Sequence, residues 1–281
     1  MELTTASQRI LADLLASRTG QYLGPGRMWR IPGALAEIFR ERDIENIDQL
    51  VCLLAVPHED GLAREVVEAL LNNETYFFRD RPMFDQLAEC ILPKLAEARR
   101  AQRSLRIWSA GCSTGQELYS IAMLIRSQAA RFDDWCITLL GTDISQRVVD
   151  SARRGEFSQF EVQRGLEVAQ MIANFEDCGG RWRVRADLRR MVRFRQHNLL
   201  SPPPEEGPFD LILCRNVLLY FDPSTRSHVF DQLRRSLAAD GMLMLGAGET
   251  SIGQTRAFHP DPRWTGIYHP APPMAAARAA S

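Results

Sequence analysis

Residues 105–132 read LRIWSAGCSTGQELYSIAMLIRSQAARF, and they set the pattern for most of the chain. The apolar run LRIWSA predicts a β-strand, the small residues after it predict a turn, and the remainder has helical spacing. Strands and helices continue to alternate in this way to about residue 270. Such alternation is typical of a mostly parallel sheet covered on both faces. The sequence therefore predicts an α/β fold.

The segment before residue 81 follows a different pattern. The stretches SQRILADLLASRTG, PGALAEIFRERD and LAREVVEALL carry apolar residues at i, i+3 and i+4 and end at Gly, Asp or Asn. We predict a small all-α N-terminal domain over 1–80 and the α/β domain over 81–270. The Pro/Ala-rich tail, 271–281, has no core-forming pattern, and we predict that it is disordered.

An arginine-rich segment interrupts the alternation. At 179–195 the sequence GGRWRVRADLRRMVRFR twice alternates arginine with apolar residues, which predicts strands that have one basic face. We predict a small antiparallel β-subdomain inserted at about 176–197. Its basic face is either a solvated surface or a docking surface for an acidic partner, and the pattern leaves both alternatives open.

Composition narrows the class of protein. Of the 281 residues, 45 % are hydrophobic and 25 % are charged, as in soluble globular proteins, and the formal net charge of −1 gives no basic field for nucleic acid. The six cysteines are scattered without a CxxC pair or a Cys/His cluster, so we predict no metal site. The N-terminal residues lack a signal pattern, and no apolar run is long enough to span a membrane. We therefore expect a cytoplasmic protein without membrane insertion, and nothing in the sequence requires more than a monomer.

Two acidic residues lie where a ligand would meet the predicted sheet. In the turn AGCSTGQE, small residues allow a ligand close to the helix N-terminus, and Glu117 would repel a phosphate but attract an amino group. Asp143 ends the second strand, where an acid typically binds both ribose hydroxyls. Alternatively, Glu117 stabilises the helix dipole and Asp143 caps the next helix. Together they favour a nucleoside that carries an ammonium group, and S-adenosylmethionine (SAM) fits this description.

Two further stretches reach the same edge of the sheet. HNLLSPPP places Asn198 and Leu199 just after a strand, where an amide can read adenine and a leucine can pack on it. FDLILCRNVLLYF is a buried strand that exposes Arg215, Asn216 and Tyr220 beyond its carboxyl end, where ligands bind. A purely structural turn is the alternative for this second stretch.

Five stretches in this order resemble the CheR family of chemotaxis receptor methyltransferases: NETYFFRD, IWSAGCSTGQELYSIAM, GTDIS, VRFRQHNLL and FDLILCRNVLLYF. The resemblance covers about residues 10–270. It implies a helical N-terminal domain, a Rossmann-like class I SAM-dependent methyltransferase domain and a small antiparallel β-subdomain. It also implies transfer of a methyl group from SAM to glutamate carboxylates in the cytoplasmic helical domain of chemoreceptors. The products would be glutamyl methyl esters and S-adenosylhomocysteine.

The resemblance also implies roles for individual residues. It implies that Glu117 binds the amino group of SAM and Asp143 the ribose, and that Arg79 and Tyr220 are catalytic. We expect Arg79 to face the acceptor carboxylate, and we expect Phe77 and Phe78 to anchor their segment in the core. The full set of implied cofactor contacts is Asn73, Thr75, Arg79, Glu117, Asp143, Asn198, Leu199, Arg215 and Asn216.

One position departs from the family pattern. Relatives usually carry an arginine directly before the leucine that matches Leu35, whereas this chain has Ala34 there, and Arg30 lies one helical turn earlier.

Two alternatives to receptor methylation stay open: a methyltransferase with another protein acceptor, and a SAM-binding sensor or scaffold without catalysis. A NAD-dependent oxidoreductase is disfavoured by Glu117 and by the missing dinucleotide fingerprint.

Overall fold

The computed structural model describes residues 6–56 and 60–272. Apart from residues 271 and 272, the tail that we predicted to be disordered lies outside this range. No helix in the described range is both long and apolar enough to cross a membrane. The chain forms two compact units, Met1–Glu74 with Leu219–Thr225, and Thr75–Leu218 with Arg226–Ser281.

The first unit is helical. Its main helices are α1 (Ala6–Thr19), α2 (Arg30–Glu41), α3 (Ile47–Leu54) and α4 (Asp60–Leu70). Their apolar faces meet in a core because leucine, isoleucine and valine recur at helical spacing on each of them. The fully or almost fully buried members of this core include Leu11, Leu15, Ile31, Leu35, Leu50, Leu62 and Val66.

The boundary between the units differs from the predicted one at residue 80. Phe77 and Phe78 are 0 % and 4 % exposed and belong to the core of the second unit, so the boundary lies at Glu74. A later segment, Leu219–Thr225, returns to the helical unit. The N–H of Tyr22 donates to the carbonyl oxygen of Tyr220 at 2.6 Å, and this long-range pairing is invisible to local sequence patterns.

Within the described residues, the second unit contains ten strands. They are β1 (Ser104–Ala110), β2 (Cys136–Asp143), β3 (Glu156–Phe157), β4 (Phe175–Asp177), β5 (Trp182–Val184), β6 (Val192–Gln196), β7 (Phe209–Cys214), β8 (Leu237–Leu245), β9 (Phe258–Pro260) and β10 (Ile267–Pro270). Seven of them form one sheet in the order β6-β2-β1-β7-β8-β10-β9, which is parallel from β6 to β8. The strands β9 and β10 are antiparallel additions. The α/β, Rossmann-like fold class is thereby confirmed.

Helices connect these strands. Their bounds are α5 (Arg81–Gln86), a π-helical turn (Leu87–Ile91), α6 (Leu92–Ala98), α7 (Gln116–Ser127), α8 (Ala129–Phe132), α9 (Gln146–Arg154), α10 (Gln159–Gln163), α11 (Val168–Asn174), α12 (Ala186–Met191) and α13 (Pro223–Ser236). Between β1 and β7 the strand order changes direction, since β2 and β6 lie on one side of β1, and β7 and β8 on the other. Ligands of open α/β sheets bind at such a switch point, beyond the carboxyl ends of the strands.

The β-subdomain differs from the predicted range, 176–197. The small antiparallel sheet has the order β3-β5-β4, so it takes one strand from before that range. The second arginine-rich repeat forms β6, which pairs with β2 in the central sheet instead. Period-2 alternation identifies a strand but not the sheet that accepts it. Within the subdomain, Arg183 pairs with Glu156 and lowers the pKa of that carboxyl, so this arginine contacts an acid of its own chain.

Candidate functional site

The turn after β1 packs tightly against the ends of two neighbouring strands. The N–H groups of Gly111 and Cys112 both donate to the carbonyl oxygen of Thr142, at 2.8 and 2.9 Å. Gly111 has a φ of +83°, and a Cβ at this position would overlap the side chain of Val217. Only glycine fits because both the backbone conformation and the space exclude a side chain. The turn therefore brings β1, β2 and the segment after β7 together.

Asp143 lies at the centre of this arrangement. One carboxylate oxygen accepts the N–H of Ser113 at 2.9 Å, and the other accepts the N–H of Ser145 at 3.0 Å. The helix after β2 is capped by Ser145, whose hydroxyl accepts the N–H of Val148, so the alternative that Asp143 is the N-cap is wrong. The 9 % exposed Asp143 joins the turn after β1 to the turn after β2.

Glu117 forms a buried ion pair. One carboxylate oxygen lies 2.9 Å from a terminal guanidinium nitrogen of Arg215, and the other accepts the hydroxyl of Ser109 at 2.8 Å. The Glu117 side chain is 13 % exposed and the Arg215 side chain 1 % exposed. Because Glu117 lies in the first turn of α7, the helix dipole favours its charge, in addition to the charge of Arg215.

Arg215 does not project from the sheet as the sequence led us to expect. Its second terminal nitrogen donates to the carbonyl oxygen of Arg79 at 2.7 Å and to the carboxylate of Asp80 at 2.8 Å, and the guanidinium lies 5.3 Å from the centre of the Phe84 ring. The prediction of an exposed Arg215 is therefore wrong, because two carboxylates compensate its charge inside the protein. The Nε of Arg215 is buried and has no hydrogen-bond partner among the described residues.

Thr75–Asp80 is fixed by aromatic packing. Phe77 meets Phe157 and Phe175 edge to face, with ring centres 5.0 and 5.4 Å away. The N–H of Phe78 donates to the hydroxyl of Ser120 at 3.1 Å. A Cβ on Gly165 would overlap the carbonyl oxygen of Phe77, so the two backbones touch. Both phenylalanines are buried, as predicted.

The polar residues of this segment remain accessible. Thr75 and Arg79 are half-buried, and the Arg79 guanidinium lies 5.7 Å from the centre of the Tyr76 ring. Arg164 lies over the same ring at 4.3 Å. The Arg79 backbone is therefore held by Arg215, while its side chain rests on an aromatic surface. Its role toward an acceptor stays a prediction.

Asn198 and Leu199 follow β6 next to Asp143. The N–H of His197 donates to the carbonyl oxygen of Asp143 at 2.8 Å, which holds this segment at the end of β2. The side-chain oxygen of Asn198 accepts the N–H of Leu200 at 2.9 Å, so part of this amide is used to shape its own turn. Asn198 and Leu199 are half-buried. Their contact with adenine stays a prediction.

Glu249 shapes the segment after β7 and was missed from the sequence. Its carboxylate accepts the N–H groups of Asn216, Val217, Leu218 and Gly246 at 2.6 to 3.0 Å. Asn216 has a φ of 60°, a left-handed conformation that asparagine tolerates better than most residues. Glu249 lies in the stretch GAGE directly after β8, at the same carboxyl edge of the sheet where Asp143 ends β2. This parallel was the available sequence signal.

Two thiols and one imidazole near the strand ends favour their neutral forms. Burial raises the pKa of the Cys112 thiol, and the carboxylates of Asp143 and Glu117 raise it further. Burial also raises the pKa of Cys214. Burial lowers the pKa of His197, and Arg195 lowers it further. Since the thiolate is the nucleophilic form of cysteine, neither thiol is activated for attack at pH 7.

Asn73 and Tyr220, the remaining predicted site residues, lie in the helical unit. Tyr220 is held there by a hydrogen bond from the amide of Asn72 and by the guanidinium of Arg27, which lies 4.9 Å from its ring centre. Arg30, one helical turn before Ala34, could supply the guanidinium of the missing family arginine. Arg27 was not singled out from the sequence. The roles of Asn73, Tyr220 and Arg30 stay predictions.

The strand-end residues of the second unit fit the chemistry of SAM. Asp143 is a buried carboxylate that suits hydroxyl groups, and Glu117 is a carboxylate that suits an ammonium group. The charge of Arg215 is compensated by Glu117 and Asp80. The orphaned Nε of Arg215 leaves a buried donor unsatisfied, which costs free energy until a partner is found. The tight glycine turn gives a ligand close access to the backbone.

Comparison with known proteins gives a consistent result. Residues 73–263 match the family model described as CheR methyltransferase, SAM binding domain. The chain is 34 % identical over 253 residues to a chemotaxis protein methyltransferase of Vibrio parahaemolyticus. The aligned region covers 89 % of this chain and 91 % of the Vibrio protein. The chain is also 33 % identical over 254 residues to chemotaxis protein methyltransferase 1 of Pseudomonas aeruginosa, and this alignment covers 89 % of this chain and 92 % of that protein. The similarity thus extends well beyond the central sheet.

Proposed function

We propose, since the chain belongs to the CheR methyltransferase family and has its SAM-binding domain, that it methylates glutamate side chains of chemoreceptors. The products are glutamyl methyl esters and S-adenosylhomocysteine. The observation that carries the proposal is the position of three charged residues at adjacent strand ends: Asp143 ends β2, and the paired Glu117 and Arg215 follow β1 and β7. We propose further that the acceptor is the cytoplasmic helical domain of the receptor, and that the enzyme acts in the cytoplasm as a monomer.

The cofactor site is proposed residue by residue. Asp143 binds the ribose hydroxyls, Glu117 binds the ammonium group, and Asn198 with Leu199 holds the adenine. Asn73, Thr75, Arg215 and Asn216 complete the proposed contacts with the cofactor. When bound, SAM supplies a methyl group on a positively charged sulfur, which is a good leaving group.

The acceptor carboxylate needs orientation more than activation. A glutamate is already ionised at pH 7, so no general base has to remove a proton. We propose that Arg79 holds the two carboxylate oxygens by charge-assisted hydrogen bonds and thereby sets the direction of approach. Its support is structural, because Arg215 fixes the Arg79 backbone and Tyr76 supports the guanidinium. Tyr220 is the second proposed catalytic residue.

Methyl transfer can be tested directly with radiolabelled SAM. We expect the protein to label cytoplasmic fragments of chemoreceptors, and we expect the label to be released by mild base, as carboxyl methyl esters are. Receptor fragments in which the labelled glutamates are replaced by alanine are the control. Base-stable label, or label only on other proteins, would support a different acceptor. SAM binding without any labelled product would support the sensor alternative.

The proposed ribose contact leads to a binding prediction. Asp143→Asn should lower the affinity for SAM about tenfold or more, because each charge-assisted hydrogen bond contributes roughly 1.5–3 kcal/mol. Calorimetric titration of SAM measures the effect. Ser145→Ala is the matched control, since it removes the cap of α9 and costs about 1 kcal/mol of stability without touching the ligand. A folded Asp143→Asn protein with unchanged SAM affinity would remove Asp143 from the site.

A further inference from the structure

Asp80 occupies an unusual position in the buried charge cluster. It is the N-cap residue of α5, where an aspartate normally accepts a backbone N–H of the first turn. Here it makes no capping hydrogen bond and has a left-handed backbone, with φ 61° and ψ 61°. This left-handed region is uncommon for residues other than glycine, although aspartate tolerates it better than most. Its carboxylate instead lies 2.8 Å from the guanidinium of Arg215, which is 135 positions away in sequence.

The cluster contains one positive and two negative side chains. Arg215, 1 % exposed, binds Glu117 through one terminal nitrogen and Asp80 through the other. The Asp80 side chain is 30 % exposed and the Glu117 side chain 13 % exposed. A pair of Arg215 and Glu117 alone would be formally neutral, whereas the cluster of three carries one formal negative charge. That charge is matched to a single incoming cation.

We propose that Asp80 determines the specificity of the cofactor site for ligands with an ammonium group. This inference rests on the proposed function and adds to it a residue that touches Arg215 rather than the cofactor. Asp80 compensates the charge of Arg215, so Glu117 keeps its attraction for an ammonium group. Without Asp80, the nearby guanidinium would repel that group, and the repulsion would be strong because the cluster is shielded from water. The affinity for a neutral nucleoside would not change.

A purely structural role for Asp80 makes a different prediction. If the Asp80–Arg215 contact only fixes the backbone around Arg79, its loss should disturb all ligands of the site alike. If Asp80 sets the charge, the loss should fall on the charged ligand alone. S-adenosylhomocysteine and 5′-methylthioadenosine separate the two cases, because they share the nucleoside and the thioether but only the first has the amino-acid group. Loss of the negative Asp80 would weaken binding of its ammonium but not of its carboxylate, so a lower affinity reports the ammonium.

The experiment is calorimetric titration of both ligands into the full-length protein. We expect Asp80→Asn to bind S-adenosylhomocysteine about tenfold more weakly than wild type and 5′-methylthioadenosine within about twofold of wild type. Asp80→Glu, which keeps the charge, should recover most of the lost affinity. Asp85→Asn is the matched control, because Asp85 is an exposed aspartate on the same helix that pairs with Arg81. It should change neither affinity.

Two results would overturn the inference: an equal loss of affinity for both ligands, or an unchanged affinity for S-adenosylhomocysteine in folded Asp80→Asn. If Asp80→Asn does not fold, Asp80→Ser provides a second neutral variant with a hydroxyl that can still accept from Arg215. Wild-type protein that binds neither ligand would instead contradict the proposed function, and this result is visible before any substitution is made.

Discussion

Arg79→Ala should lower the rate of receptor methylation about a hundredfold while leaving the affinity for SAM within a few-fold of wild type. A hundredfold change corresponds to about 2.7 kcal/mol of transition-state stabilisation. The reason is charge, because SAM carries a positive sulfur and an ammonium group, beside which a further guanidinium would be repulsive. An incoming glutamate, in contrast, needs a cationic partner. Methylation rates and SAM titrations on the same preparations measure the two effects.

Two further variants sharpen this prediction. Arg79→Lys should recover only part of the rate, since a point charge cannot bind both carboxylate oxygens as a planar guanidinium does. Arg81→Ala is the control, because Arg81 is an exposed arginine two positions away that pairs with Asp85 and Glu167. It should methylate at close to the wild-type rate. Loss of SAM binding in Arg79→Ala would assign Arg79 to the cofactor instead of the acceptor.

Gly165→Ala should destabilise the protein by about 3 kcal/mol or more, a large effect for the addition of one methyl group. Gly165 has a φ of +100°, and its added Cβ would overlap the carbonyl oxygen of Phe77. Relief of this clash requires either Gly165 or the buried Phe77 backbone to move. Movement of the Phe77 backbone would disturb the packing of its ring against Phe157 and Phe175, which costs stability. Chemical denaturation measures the change in the free energy of unfolding.

The matched control for this prediction is Gly180→Ala. Gly180 also has a positive φ, +85°, but a Cβ there would have no atom within 4 Å. Its substitution should cost only the conformational strain, roughly 1–2 kcal/mol. The difference between the two variants isolates the contact with Phe77. Equal destabilisation by Gly165→Ala and Gly180→Ala would mean that the Phe77 backbone can shift away from the added methyl group at little cost.

Local patterns were sufficient for the elements that form the parallel half of the sheet. The strand β1, the turn after it and the helix α7 were predictable, because the spacing of apolar residues changes from strand-like to helical at the glycines. The same pattern is misleading at LAADG, which continues the helical spacing of α13 although β8 begins at Leu237. Leucine and alanine favour helices, and only pairing with β7 makes this segment a strand. Tertiary pairing also moved β6 from the subdomain to the central sheet.

The candidate site was predictable where a residue acts at its own strand end. Asp143 ends β2, and Glu117 lies in the first turn of the helix after β1, so sequence position alone points to the carboxyl edge of the sheet. Asp80 and Arg215 were harder, because their relation is an ion pair between distant parts of the chain that buries a side chain expected to be exposed. Charge compensation of this kind depends on three-dimensional proximity, and no local pattern reports it.

The Glu249 carboxylate has a consequence for the order in which the protein matures during synthesis. The N–H groups of Asn216, Val217 and Leu218 use an acceptor that is translated more than 30 residues later. While the ribosome is still producing β8, the segment after β7 has no access to this acceptor. The cofactor edge of the sheet therefore takes its final form late, after β8 has emerged and docked. A nascent chain that stops before residue 249 can already contain β1, β2 and β7 and still lack a finished binding edge.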